Sequence, residues 1–86
     1  MAQRHPNQDK MQAAVARWIS EAQGRSNGAE LLRQRADWVE QQLRALSAWA
    51  AGRGDLPAHL LGLTAPDLIG AQGDLISAAA QHRRAA

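Results

Sequence analysis

Apolar residues recur every three or four positions through the middle of the chain. The steps between them are 4, 3, 4, 3 and 4 residues, at Leu32, Ala36, Val39, Leu43, Leu46 and Ala50. A repeat averaging about 3.5 residues places these side chains in one seam along a helix. Trp38 lies beside the seam and widens it. The pattern predicts a long amphipathic helix over about residues 28–51.

Two shorter patterns predict a helix on either side of this one. The first covers about residues 8–23, with Met11, Val15, Trp18, Ile19 and Ala22 on one side. The second covers about residues 65–83, where Leu68 and Leu75, and likewise Ile69 and Ile76, are seven residues apart. Glycine-rich breaks at 24–28 and 52–57 separate the three segments. We therefore expect a polar tail over 1–7 and a single helical domain over 8–86.

The residues at the predicted helix ends are typical capping residues. Asn7 precedes the first helix, Asn27 stands three residues before Glu30, and Thr64 stands three residues before an acid. Each could accept a hydrogen bond from an unpaired backbone amide. Gly52 follows the second helix, where a left-handed residue commonly ends a helix. A short turn of helix is also expected over 58–61.

The composition favours an all-α fold, because β-branched residues are few and Phe and Tyr are absent. We expect two to three amphipathic helices in a helical hairpin or a coiled-coil-like bundle. Nineteen of the hydrophobic residues are alanines, which bury little surface. A core this small should need support from outside the monomer, so we expect a homo-oligomer or binding to a surface.

Charge and chemistry narrow the function by exclusion. The net charge of +2 gives no positive support for a nucleic-acid partner. The chain has no cysteine, and His5, His59 and His82 lack the spacing of metal ligands. We therefore expect no catalytic residues, no metal, no cofactor and no enzyme activity. No apolar run is long enough for a transmembrane segment, and residues 1–10 lack a signal-peptide core, which predicts a cytoplasmic protein.

Two features allow more than one interpretation. Gly70 and Gly73 either permit close approach of another helix or simply weaken the third helix. The tryptophans, at positions 18, 38 and 49, either fill the core or anchor an apolar–water boundary.

Gln72 falls on or beside the apolar side of the third helix, where a polar side chain can select a register or an oligomeric state.

The segment 60–81 is similar to a pattern found in phasins, small helical proteins on the surface of polyhydroxyalkanoate granules. In that family a small residue or Thr, a Pro, an acid, a Leu and a Gln open an amphipathic helix. The matching residues here are Thr64, Pro66, Asp67, Leu68 and Gln72. The preceding helix, with its Trp and Arg residues, also resembles the family's arrangement.

The resemblance implies a structural protein that coats granules through amphipathic helices. We expect the apolar polyester surface of the granule to be bound by nine residues, the predicted binding seam: Leu32, Trp38, Val39, Leu43, Leu46, Leu68, Ile69, Leu75 and Ile76. The alternative is a small helical adaptor or regulatory module whose seam binds a partner helix. Binding to polyester particles would distinguish the first function from the second.

Overall fold

Three α-helices make up most of the domain, and the all-α prediction is confirmed. The computed structural model describes residues 4–85, which contain α1 (Pro6–Gln23), α2 (Gly28–Ala50) and α3 (Ala65–Ala85). A 3₁₀ turn, Ala58–Leu60, lies in the connection between α2 and α3. The helices pack against one another as a bundle, and α2 and α3 share the most extensive interface. None of the described helices is long and apolar enough to cross a membrane.

Contacts at the helix ends establish the direction of each helix. Gly28, the first residue of α2, lies against the carbonyl of Ala22 in α1 and the ring of His82 near the end of α3. At the other end of the molecule, the Gln8 amide of α1 donates to the Asp67 carboxylate of α3 over 3.2 Å. Therefore α1 and α3 run parallel, and α2 runs antiparallel to both.

The core is built from aliphatic side chains of all three helices and of the connection between α2 and α3. Leu32, Leu60, Leu68, Leu75 and Val39 are the largest fully buried side chains. Alanines of each helix and two further residues complete the buried set, which is Val15, Ala22, Ala36, Leu63, Ala71 and Ala79. Because the small alanines let the helices approach closely, the five large side chains are enclosed within the monomer.

The first helix begins two residues earlier than predicted, and its cap is His5 rather than Asn7. The His5 ring nitrogen Nδ1 accepts from the backbone N–H of Asn7, and the His5 N–H donates to the side chain of Gln8. Pro6 suits the first turn because its missing N–H would have no helical partner there. The predicted tail therefore includes part of α1, while residues 1–3 of that tail, like Ala86, lie outside the described residues.

The start of α1 is also tied to the connection between α2 and α3. The side-chain amide of Asn7 donates to the carbonyls of Ala58 and Leu61, at 3.0 and 2.8 Å. The ring of His5 lies directly on Gly62, where a Cβ would collide with it. Gly62 has a φ of +82°, which glycine adopts without strain. This position therefore requires glycine for its backbone conformation and for the space that the His5 ring occupies.

Of the three other predicted helix caps, two are confirmed and one is wrong. Gly52 has a φ of +79°, and its N–H and that of Arg53 bond to the carbonyls of Trp49 and Ala48, which forms a Schellman motif. Thr64 and Asp67 form the reciprocal capping box at the start of α3. The capping box predicted at Asn27 is wrong, because its side chain makes no capping hydrogen bond.

Candidate interaction surfaces

Four residues of the predicted binding seam are enclosed in the core. Leu32, Val39, Leu68 and Leu75 are each 2% exposed or less. They face the other helices of the same chain because α2 and α3 use their apolar sides against each other. These four are therefore unavailable to a surface or a partner helix in the folded monomer, contrary to their assignment from sequence.

Three more seam residues are half-buried at the edge of the core. Trp38, Leu43 and Leu46 of α2 all pack against the buried cluster while keeping part of their side chains exposed. They support the packing of the monomer and add some apolar area to its surface.

The last two seam residues, Ile69 and Ile76, are exposed. Their exposed fractions are 55% and 45%, and their spacing of seven residues puts both on one side of α3. Gly73 and Ala80 are exposed on the same side. We call these four residues the outer face of α3. Leu61, 54% exposed, precedes this helix by a few residues.

A groove of about 660 Å³ lies between α1 and α3. Its apolar lining comes from Met11, Val15 and Ile19 of α1 and from alanines of α3. Asp67 and Asp74 also line it, each two residues before an isoleucine of the outer face. Two residues correspond to a rotation of about 200° around a helix. The two aspartates therefore point away from the outer face, while Gly70 and Ser77, which also line the groove, lie between the groove and that face.

An aromatic cluster joins α1, α2 and the 3₁₀ turn. The rings of Trp18 and Trp38 meet edge to face with 5.9 Å between centroids, and His59 stacks on Trp38 at 6.1 Å. The guanidinium of Arg35 lies 4.6 Å from the Trp18 ring, and His59 Nε2 is 2.6 Å from the Gln42 side-chain oxygen. These neighbours pack against both indoles, which gives the partly buried Trp18 and Trp38 a packing role between elements. Trp49 differs, since it is 46% exposed at the end of α2.

The residues of the phasin-like motif mainly build the start of α3. Thr64 and Asp67 form the cap, Pro66 occupies the first turn, and Leu68 is buried in the core. The hydrogen bond from the Thr64 backbone N–H, with smaller contributions from Gln8 and the Thr64 hydroxyl, lowers the pKa of Asp67 below its usual 3.8 although partial burial opposes this. Gln72 is half-buried and does not form part of the cap.

The structure bears on the metal-ligand question only through its His, Asp and Glu side chains. Among residues 4–85, no three His, Asp or Glu side chains are close enough together to hold a metal ion. The histidines serve three separate junctions, with His5 at the α1 cap, His59 on Trp38 and His82 against Gly28. The sequence carried no signal for the groove, because its lining residues come from two helices that are distant along the chain.

The fold and these surfaces define a small three-helix bundle with an exposed apolar helix face and an acidic groove. Comparisons of the chain with protein-family profiles, with characterised proteins and with solved structures found no match.

Proposed function

We propose that this domain is a phasin-like coat protein that adsorbs to the apolar polyester of polyhydroxyalkanoate granules. The observation that supports the proposal most directly is the outer face of α3, where Ile69 and Ile76 remain about half exposed on a folded monomer. The proposed location is the granule surface in the cytoplasm. The proposal includes no catalytic step and no cofactor.

The outer face can adsorb without loss of the fold. Burying the exposed part of each isoleucine would contribute about 1 kcal/mol, since full burial of such a side chain contributes about 1.5–3 kcal/mol. Exposing Leu32 and Val39 to the polymer instead would require α2 and α3 to separate and would lose the core that they share. Adsorption through the outer face therefore costs less free energy than separating α2 and α3, and it gives weak, reversible binding per molecule.

The same face accounts for the proposed homo-oligomer. In water, two copies would bury the same isoleucines against each other, so self-association and adsorption would compete for one surface. Polyester particles should accordingly dissociate the oligomer as they bind the protein.

The test is the partitioning of purified protein onto polyhydroxybutyrate particles, measured by co-sedimentation. A double variant, Ile69→Ser with Ile76→Ser, should bind about tenfold or more weakly, because it removes about 2 kcal/mol of apolar burial. Its melting temperature should stay near that of the wild type, since neither side chain is in the core.

Trp49→Ser is the matched control, because it removes a large exposed apolar side chain from the end of α2 rather than from the outer face. It should keep most of the binding. Equal partitioning of the double variant and the wild type would contradict adsorption through the outer face. Failure of the wild-type protein to bind the particles at all would contradict the coat function itself.

The alternative function, a helical module that binds a partner helix, is favoured by a separate observation. The groove between α1 and α3 is an open apolar channel between two parallel helices. Its lining does not include the two isoleucines of the outer face, so the two proposed functions use different side chains.

A further inference from the structure

The groove between α1 and α3 is long enough to accept an additional helix alongside the bundle. Its lining runs along much of both helices, from Gln8 to Ile19 on α1 and from Pro66 to Gln81 on α3. The α3 wall is made of small side chains, including Gly70, Ala71 and Ala78. Small residues let an additional helix approach to the 8–10 Å at which helices normally pack. An occupant with short aliphatic side chains would therefore fit between α1 and α3.

The charges along the groove are mainly negative. Asp67 and Asp74 stand seven residues apart on the α3 side, and within residues 4–85 no cation lies within ion-pair distance of Asp74. The α1 side presents the amides of Gln8 and Gln12. Arg4 is the basic residue at the groove; its guanidinium pairs with Asp9 at 2.8 Å, and its charge also helps to lower the pKa of Asp67, so Asp74 is the carboxylate of the groove with no cation beside it among the described residues. The groove is thus acidic on a chain whose formal net charge is +2.

We infer that the groove binds a basic amphipathic helix of a partner protein, with small aliphatic residues against the partly exposed Met11 and Ala78 and with Lys or Arg beside Asp74. A spacing of seven residues between two basic side chains would match Asp67 and Asp74, because helical positions seven apart lie on one side. This inference names the partner for the second function proposed above. It does not depend on adsorption through the outer face.

The experiment titrates the ¹⁵N-labelled domain with three synthetic helical peptides that share one Leu/Ala face. They carry Lys, Glu or Gln at two positions seven residues apart along the edge of that face. The lysine peptide should bind saturably and shift the amide signals of Val15, Ala71 and Ala78. The glutamate peptide should bind at least tenfold more weakly, since it replaces two attractive contacts with repulsive ones.

Charge reversal provides the decisive variant. Asp74 is exposed and makes no capping hydrogen bond, so Asp74→Lys should keep the fold. It should weaken the lysine peptide severalfold and strengthen the glutamate peptide. Asp37→Lys, an exposed position on α2 outside the groove, is the control and should leave the preference for lysine nearly unchanged.

The outcomes separate the two proposals. Equal binding of all three peptides in the groove would overturn the basic partner and retain the helix-binding function. Absence of binding by every peptide would overturn both the basic partner and the helix-binding function. Peptide-induced shifts at Ile69 and Ile76 in place of the groove would overturn the inference and assign the outer face as the binding surface. Saturable, lysine-selective binding that Asp74→Lys reverses supports the inference.

Discussion

Single residues at helix ends account for much of the architecture around α3. The Thr64 hydroxyl accepts from the Asp67 N–H, and the Asp67 carboxylate accepts from the Thr64 N–H. The same carboxylate accepts from Gln8 of α1. One side chain therefore both starts α3 and connects it to the start of the first helix.

The cap predicts a dependence of stability on pH. The hydrogen bond from the Thr64 N–H lowers the pKa of Asp67, so the folded state favours the ionised carboxylate more than the unfolded chain does. A depressed pKa of an acid contributes stability that is fully present above the unfolded pKa of about 4 and is lost as pH falls through the folded value. Asp67→Asn should therefore be less stable than the wild type at pH 7, with the difference shrinking below pH 4.

Urea unfolding at pH 7 and at pH 3 measures this difference. Asp74→Asn is the control, since Asp74 lies on the same helix and takes no part in the cap. A stability gap between the wild type and Asp67→Asn that stays constant from pH 7 to pH 3 would show that the carboxylate charge is not what stabilises the cap.

Removal of the hydroxyl partner tests the other half of the capping box. Thr64→Ala should lower the free energy of unfolding by about 1 kcal/mol, the usual cost of losing an N-cap side chain. Thr64 is exposed, so the change leaves no cavity in the core. Denaturant melts of the purified variant measure the effect, and an unchanged midpoint would show that the Asp67 carboxylate caps the helix without the hydroxyl.

Among the elements, α2 and α3 differ in how their glycines are used. A Cβ at Gly28 would collide with the Ala22 carbonyl and the His82 ring, so this glycine allows the three helices to meet. A Cβ at Gly70 or Gly73 would meet nothing within 4 Å. Of the two interpretations left open for Gly70 and Gly73, the monomer therefore supports a locally weakened helix.

Alanine substitutions should have opposite effects at these positions. At protein concentrations too low for self-association, Gly73→Ala should stabilise the monomer by about 0.5–1 kcal/mol, because alanine loses less backbone entropy in a helix. Gly28→Ala should destabilise it, since backbone and ring atoms would have to shift. Thermal unfolding of the two variants compares them directly. If Gly73→Ala destabilised the monomer under these conditions, the open space around Gly73 would be contradicted.

For the whole molecule, the main finding is that the apolar seam is divided between the core and the surface. Leu75 is fully buried and its neighbour Ile76 is 45% exposed. The same division separates Leu68 from Ile69. One helix thus supplies the stability of the monomer from one side and an adsorbing face from the adjacent side.

Neighbouring truncations should separate stability from adsorption. Leu75→Ala should cost about 2–4 kcal/mol of unfolding free energy, because it leaves a cavity in the core. Ile76→Ala should cost well under that and should weaken binding to polyester particles. Denaturant unfolding and co-sedimentation on the same two proteins measure both properties. Similar stability losses for the two variants would contradict the division of the seam.

The sequence predicted the helices and two of their caps because those features depend on local spacing and on short-range hydrogen bonds. The α1 cap was missed since His5 is an uncommon capping residue and its ring is positioned by Gly62, far along the chain. The cap at Asn27 was predicted wrongly because its backbone, with φ −96° and ψ 22°, is not in the extended conformation that an N-cap residue normally adopts.

Periodicity by itself determined that this protein is all-α, with an apolar side on each helix, because side-chain direction follows directly from position along a helix. It could not determine which apolar residues the chain would cover itself. Only the tertiary structure decided that Leu32, Val39, Leu68 and Leu75 are enclosed and that Ile69 and Ile76 are not. The reason is physical: burial depends on the rotation of each helix against its neighbours, and that rotation is set by contacts between residues far apart in the chain.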